Sequence, residues 1–432
     1  MEHYFHSVTL DKDKCKGCTN CIKRCPTEAI RVRDGKAKII KERCIDCGEC
    51  IRVCPYHAKK AVTDEFDKIF EYKHKIALVA PSFYAQFRNK PDVNVILTAI
   101  EELGFDDIFE VAAAAELITE ATREFIAETP KPRPAISSAC PAVIRLIQVR
   151  FPNLIKNLVP LLSPLELSAK LAKDKAAAET GLKPEEIGAF FITPCAAKVT
   201  YMHKPQGIAA SQVDGCISMK DMYLRALPLV KRITEPKRLA CAGADGVKWA
   251  KSGGESDGLV NGQHIAVDGI WNVCRILEAV ENETLDDVDF LEVAACMGGC
   301  IGGPLTIANC FVSESRIRNV LDNTELLPVP YRWGEELKEV VQWKTGISST
   351  PVMKLDNDIV IAMQKLERME EINKNLPKLD CGSCGAPSCK ALSEDIVRGF
   401  AVETDCIFRL RERVRQLSVE MVELEGRGKE RR

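Results

Sequence analysis

Residues 188–195 read GAFFITPC, a short apolar run closed by Thr193, Pro194 and Cys195. Its length and its aromatic and β-branched content predict a strand buried on both faces, as in a parallel sheet covered by helices. Three further runs have the same character: KIALVAPS (75–82), RPAISSAC (133–140) and DFLEVAAC (289–296). Longer helical patterns separate them, which predicts an α/β domain with a mainly parallel sheet. In such sheets ligands collect beyond the carboxyl ends of the strands. Three of the four runs end in a cysteine, so Cys140, Cys195 and Cys296 are expected to face one shared site.

Outside this core the cysteines divide the rest of the chain. Twenty cysteines in 432 residues, clustered at short spacings, argue for metal ligands over packing. The start MEHYFHSVTLDKDK has no apolar leader, and no stretch reaches the roughly 18 apolar residues of a membrane helix. A cytoplasmic protein is expected, whose paired cysteines bind metal in a reducing compartment. A net charge of −2 gives no reason to invoke nucleic acid. Residues 1–60 are the basic part, with fourteen Lys and Arg against eight Asp and Glu, which suits an acidic redox partner.

Two repeats, CKGCTNCIKRCP and CIDCGECIRVCP, flank a hairpin text with an Asp34-Gly35 turn. Cys15, Cys18, Cys21 and Cys25 follow the CxxCxxCxxxCP spacing, and Cys44, Cys47, Cys50 and Cys54 repeat it. In this pattern the fourth cysteine of each run ligates the other cluster. The assignment is Cys15, Cys18, Cys21 and Cys54 to one [4Fe–4S] centre, and Cys44, Cys47, Cys50 and Cys25 to a second. The segment resembles a bacterial two-cluster ferredoxin. Near the other end, Cys381, Cys384, Cys389 and Cys406 form CxxCxxxxC plus a distant cysteine. The text CGSCGAPSCKALSEDIVRG is similar to the small [4Fe–4S] domain of corrinoid-protein subunits and redox regulators, which implies a third cluster; a zinc knuckle is the alternative. Three segments are expected: a ferredoxin-like α+β domain (1–72), the α/β domain (73–350), and a helical iron–sulfur segment (351–432).

In the central domain CMGGCIGG (296–303) sets Cys296 and Cys300 four apart among glycines that let backbone approach a bulky inorganic ligand. With Cys140 and Cys195 these make a tetrathiolate site, and Lys198 sets a cation three residues after Cys195. Ser137-Ser138-Ala139-Cys140-Pro141, Pro194-Cys195-Ala196-Ala197-Lys198 and the run from Cys296 to Gly303 resemble, in order and separation, the three signature segments of [FeFe]-hydrogenases. The resemblance covers roughly residues 75–345. It implies that Cys140, Cys195, Cys296 and Cys300 hold a cubane. It also implies that Cys300 bridges this cubane to a diiron subsite bearing CO, cyanide and a dithiolate, together the H-cluster. Lys198 would then bond one cyanide, Ala80, Pro81 and Ser82 would approach the other, and Pro164 would line the pocket.

The chain departs from that family at the proton relay. Its catalytic members carry a second cysteine where Ala139 stands, a glutamate where Tyr201 stands and a serine where Val159 stands. Two methionines near the diiron unit are replaced by Thr193 and Ala294. Retained ligands with a lost relay are similar to the sensory [FeFe]-hydrogenases, which implies slow activation of H2 as a hydrogen or redox signal. Two alternatives stand beside it: a catalytic hydrogenase with a different proton path, and a relative holding only cubanes, like iron–sulfur assembly factors. The partners implied are H2, protons and a redox partner such as ferredoxin or a signalling protein.

Ile407, Leu410, Val414, Leu417, Met421 and Leu424 step 3, 4, 3, 4, 3, an a/d seam that predicts a homodimer or an intramolecular packing face, with a dimer setting the third cluster near its axis. Cys216, Cys241, Cys274 and Cys310 lack metal spacing and are expected to be buried thiols.

Overall fold

The four apolar runs become strands β3 (His74–Val79), β5 (Ala135–Ile136), β6 (Ile187–Thr193) and β9 (Phe290–Ala294) in a computed structural model of the chain. It describes residues 5–89, 91–129, 132–323, 330–350, 352 and 354–429; residues 1–4 and 430–432, the ends of the expected segments, lie outside them. The described chain groups into two compact units. One holds residues 1–9, 45–48 and 60–350; the other holds 10–44, 49–59 and 351–432, so the last expected segment shares a unit with most of the first.

In the larger unit β3 and β6 pair in parallel at the centre of a four-stranded sheet, with β4 (Asp107–Glu110) and β7 (Gly215–Ser218) outside them. A second parallel sheet has β9 between β8 (His264–Asp268) and β5, in the register Phe290 opposite Ala135. Ile76, Phe83, Phe190 and Phe191 are fully buried around the larger sheet. Burying such side chains contributes about 1.5–3 kcal/mol each. Both sheets send their strand ends into helices. Helix α2 (Pro141–Arg150) begins at Cys140, α4 (Ala196–His203) begins at Cys195, and each cysteine is the extended residue before the first turn. Between them α3 (Pro164–Thr180) starts with Pro164 after the cap Ser163, which accepts from Glu166 N, and stops at Gly181 in the left-handed region.

In the smaller unit β1 (Ile30–Arg33) and β2 (Lys36–Ile39) form an antiparallel hairpin, Arg33 opposite Lys36. Its turn residues Asp34 and Gly35 take φ of 55° and 70°, the two positive values a type I′ turn requires. Helix α7 (Cys389–Val397) lies against this hairpin through buried ion pairs. Asp395 accepts from Arg31 Nε at 2.7 Å and Arg33 Nη2 at 2.8 Å, while Glu394 pairs with Arg43. Backbone seals the contact: Val32 N donates to Gly385 O at 2.8 Å, and a Cβ on Gly385 would stand 1.9 Å from Val32 O. Breaking one partner of a buried pair strands the other charge. Asp395→Ala is therefore expected to destabilise this unit by about 3–5 kcal/mol. Chemical denaturation followed through the hairpin, with trypsin cleavage between residues 354 and 429, checks it; an unchanged midpoint would refute the role of the pair.

Candidate metal centres

Beyond the ends of β5, β6 and β9 lies a cavity. Its wall contains Cys140, Cys195, Cys296 and Cys300, so the three strand ends and the glycine-rich turn do meet. Burial is the largest effect on the Cys140 and Cys195 thiols. It raises Cys140, with the neighbouring Cys296 and Cys300 adding to the rise, and pushes Cys195 up to about 12. Metal-free, Cys140 and Cys195 resist ionisation; thiolates at these two positions call for a cationic centre to hold them.

Lys198 enters from the first turn of α4, its Nζ 3.4 Å from Cys300 Sγ and over the ring of Phe191. Burial alone would lower its pKa, but Cys300, Cys195 and Cys140 together outweigh that and hold it above the ordinary lysine value. Ala80, Pro81, Ser82, Ala139 and Pro164 line the same cavity. Ser82 Oγ is buried with no hydrogen-bond partner among the described residues, a donor aimed at something the protein does not supply. The glycine-rich turn could not be built otherwise. A Cβ on Gly303 would stand 2.2 Å from Pro194 O, and Gly299 has φ +78° with Ser252 N 2.6 Å from where its Cβ would be. Four soft donors, one buried cation and an unsatisfied hydroxyl fit an iron–sulfur centre with a polar ligand beside it.

The structure also brings in three residues to which sequence reasoning gave no role. Ser137 Oγ donates to Glu255 Oε2 at 2.6 Å and accepts from Ala139 N at 3.3 Å. Glu292 accepts from Gly253 N and Ser256 N, both at 2.8 Å. Both carboxyls line the cavity. Burial, then the Glu292 charge, push Glu255 up to about 8, against the Ser137 hydrogen bond. Glu292 is raised too, chiefly by burial, with its backbone donors opposing and the Asp257 charge adding. Glu292 left a signal, a charge inside the apolar run 289–296; Glu255, on the four-residue helix α5 (Gly254–Asp257), left none. Of the substituted relay positions, Tyr201 lines a separate small cavity with Pro141, Arg145 and Gln206. Val159 is buried in main-chain pairing with Ile136.

In the smaller unit Cys15, Cys18, Cys21 and Cys54 line one cavity, the crossed set expected from the spacing. Backbone N–H groups donate to sulfur: Ala37 to Cys15 at 3.4 Å, Ala58 to Cys54 at 3.3 Å and Ala29 to Cys25 at 3.2 Å. Cys47 is buried, and Cys25, Cys44 and Cys50 are half-buried. Cys384, Cys389 and Cys406 share an apolar cluster with Ile372 and Leu392, and Cys381 is exposed beside it. Of the remaining thiols Cys216 and Cys274 are buried, but Cys241 and Cys310 are only half-buried, because each sits at the edge of a loop or helix start.

Comparison with known proteins agrees with this geometry. The family described as iron only hydrogenase large subunit, C-terminal domain, matches residues 73–225 and 225–304. A 4Fe-4S dicluster domain matches 7–55, and an Fe-S cluster domain matches 376–408. Iron hydrogenase 1 of Clostridium pasteurianum is 28% identical over 326 residues, 68% of this chain and 55% of its own length. The chain thus spans about half of that enzyme. The periplasmic [Fe] hydrogenase large subunit of Nitratidesulfovibrio vulgaris is 26% identical over 360 residues, 69% of this chain and 86% of its own. Among solved structures an [FeFe]-hydrogenase HydA, studied for stepwise H-cluster assembly, superposes with a TM-score of 0.51 at 16% identity, over 65% of this chain and 95% of that one. A variant of HydA1 from Chlamydomonas reinhardtii gives 0.50 at 16% identity over the same shares. The fold, the converging cysteines and the family match together lead to one conclusion: this chain is an iron–sulfur protein belonging to the iron-only hydrogenase large-subunit family.

Proposed function

We propose that this protein carries an H-cluster and three further [4Fe–4S] centres, and activates H2 slowly as a cytoplasmic sensor of hydrogen or redox state. Electrons would pass to a ferredoxin or a signalling protein. The observation that carries the reading is the convergence of Cys140, Cys195, Cys296, Cys300 and Lys198 on one cavity whose wall contains Ala139. When bound, the H-cluster supplies the splitting of H2 into two protons and two electrons, or the reverse.

The chain's own residues would hold, orient and dry that chemistry. Cys140, Cys195, Cys296 and Cys300 would hold the cluster. Lys198 would donate a charge-assisted hydrogen bond to a polar ligand of it, strong in so dry a site. Ser82 Oγ would find its missing acceptor on another such ligand, with Ala80 and Pro81 fixing the approach. Pro164, rigid at the start of α3, shapes the wall. Ala139 offers a methyl group and carries no proton, which favours a slow, signalling role over rapid turnover.

Two close approaches, each within one unit, bear on the electron route. Gly48, next to Cys47, has φ +73°, and a Cβ there would be 2.4 Å from Pro304, which follows Gly303 of the cysteine turn. Gly382, next to Cys381, would bring a Cβ to 3.5 Å from Ile22, beside Cys21. Within one unit the C-terminal cysteines thus neighbour the first repeat, and within the other Gly48 neighbours the cysteine turn. A second reading, catalysis by another proton path, is favoured by the Ser137–Glu255 hydrogen bond and Glu292 in the same cavity.

Infrared spectroscopy after maturation tests the proposal. Bands of bound CO and cyanide are expected; their absence from protein with full cubane content would leave an electron-transfer or assembly protein instead.

A further inference from the structure

Helix α8 (Ile407–Lys429) carries a seam that the rest of the described chain does not cover. Ile407, Leu410, Val414, Leu417, Met421 and Leu424 are 41–66% exposed. A 3.5-residue apolar period on so exposed a helix is built to pack against another helix. The charges choose which. Arg409, Arg411, Arg413 and Arg415, with Glu412, occupy the first half, whereas Glu420 and Glu423 are the charged residues from 416 to 424.

We propose that α8 of a second copy of this chain covers the seam, running antiparallel. A two-fold axis then sets Ile407 opposite the partner's Leu424, Leu410 opposite the partner's Met421 and Val414 opposite the partner's Leu417. Symmetry repeats these as six layers. Arg413 flanks the seam on the same side as the partner's Glu420 and meets it, twice over, while Arg411 adds to the positive charge of the first half. A parallel pairing would set the arginine-rich halves side by side and oppose no unlike charges across the seam. The interaction therefore specifies direction as well as partner. It also moves the C-terminal centres away from the axis: at 1.5 Å per residue the two Cys406 positions lie about 28 Å apart at opposite ends of the pair. Each copy keeps its own electron route. This inference stands independently of the hydrogenase reading.

Light scattering and sedimentation of the anaerobic, cluster-loaded full chain across a dilution series test it. A dimer that dissociates on dilution is expected, because the seam is short of the three to four heptads of a stable coiled coil. Val414→Asp with Leu417→Asp is expected to give a monomer with unchanged iron content and helicity. Arg411→Glu with Arg413→Glu is expected to weaken the dimer about tenfold, and adding Glu420→Arg to restore it, since the unlike pairs are re-formed only in the antiparallel arrangement. A photo-crosslinker at position 410, in mixed heavy and light protein, should join peptides containing residue 421. A monomer at every concentration overturns the proposal, as does retention of the wild-type mass in the aspartate variant. Crosslinks between two 410-containing peptides, or failure of the triple charge exchange to restore association, would overturn the antiparallel direction. Association only with a different protein would overturn the choice of occupant.

Discussion

Glu255→Gln is expected to lower H2 turnover about 100-fold, since a positioned proton donor or acceptor contributes about 10² to 10⁴ in rate. Glu255 lies in the cavity wall with its carboxyl pushed up to about 8 by desolvation and by Glu292. At neutral pH it holds a proton, yet its pKa is close enough to release one. Ser137 Oγ, which donates to it at 2.6 Å, also accepts from the backbone N of Ala139, so the pair reaches the position where the family keeps its relay cysteine. Beyond Glu255 the Glu292 charge and then Asp257, whose side chain is 55% exposed, lead toward solvent. Proton reduction should fall as pH rises through about 8 in the wild type, and this limb should vanish in the variant. Stability carries the same signature. The folded state keeps the Glu255 proton up to about 8, whereas the unfolded chain releases it near 4.5. The contribution of this group is fully present below 4.5 and is lost as pH rises toward 8. Melting temperatures should show wild type losing stability relative to Glu255→Gln across that window. Equal turnover and parallel melting curves would exclude the carboxyl from proton movement.

The convergence of Cys140, Cys195, Cys296 and Cys300 on one cavity was readable because they obey a short spacing or sit where strands end. Cys195 closes an unmistakable buried run, and the structure sets it directly before the first turn of α4. The parallel pairing likewise follows from the four apolar runs, but they divide between two sheets where one was expected. The strand before Cys140 was less legible: only Ala135 and Ile136 pair, because the serines that follow turn into hydrogen-bonding roles. Glu255 escaped altogether. A carboxyl acquires an unusual pKa from burial and from a neighbour distant in sequence, here Glu292 on another element, and local text encodes neither. The docking of α7 on the hairpin was equally hidden, since Arg31, Arg33, Asp395 and Glu394 read as ordinary surface charges until the fold buries them together. The opposite case is the seam of α8, whose periodicity was plain in the sequence and which the described chain leaves exposed.

Ala139→Cys is expected to raise turnover by about 10- to 100-fold, toward the lower end of what a positioned proton carrier contributes. Ala139 lines the cavity, and its backbone N is bonded to Ser137 Oγ. A thiol at this position would add a proton-carrying group to the cavity wall, where the methyl group carries none. The family's onward relay is not available to it, because Val159 is apolar and buried and Tyr201 faces a different cavity. Any gain must therefore leave through Ser137 and Glu255. That makes the effect conditional: in Ala139→Cys combined with Glu255→Gln the gain should disappear, a non-additive result that independent sites would not give. Turnover of matured protein, normalised to CO and cyanide band intensity, measures it. A gain that survives loss of Glu255 would mean that protons leave by another route. No gain in the single variant, with the bands intact, would mean that proton transfer is not what keeps this protein slow, and the reading of Ala139 as the residue separating a sensor from an enzyme would fall.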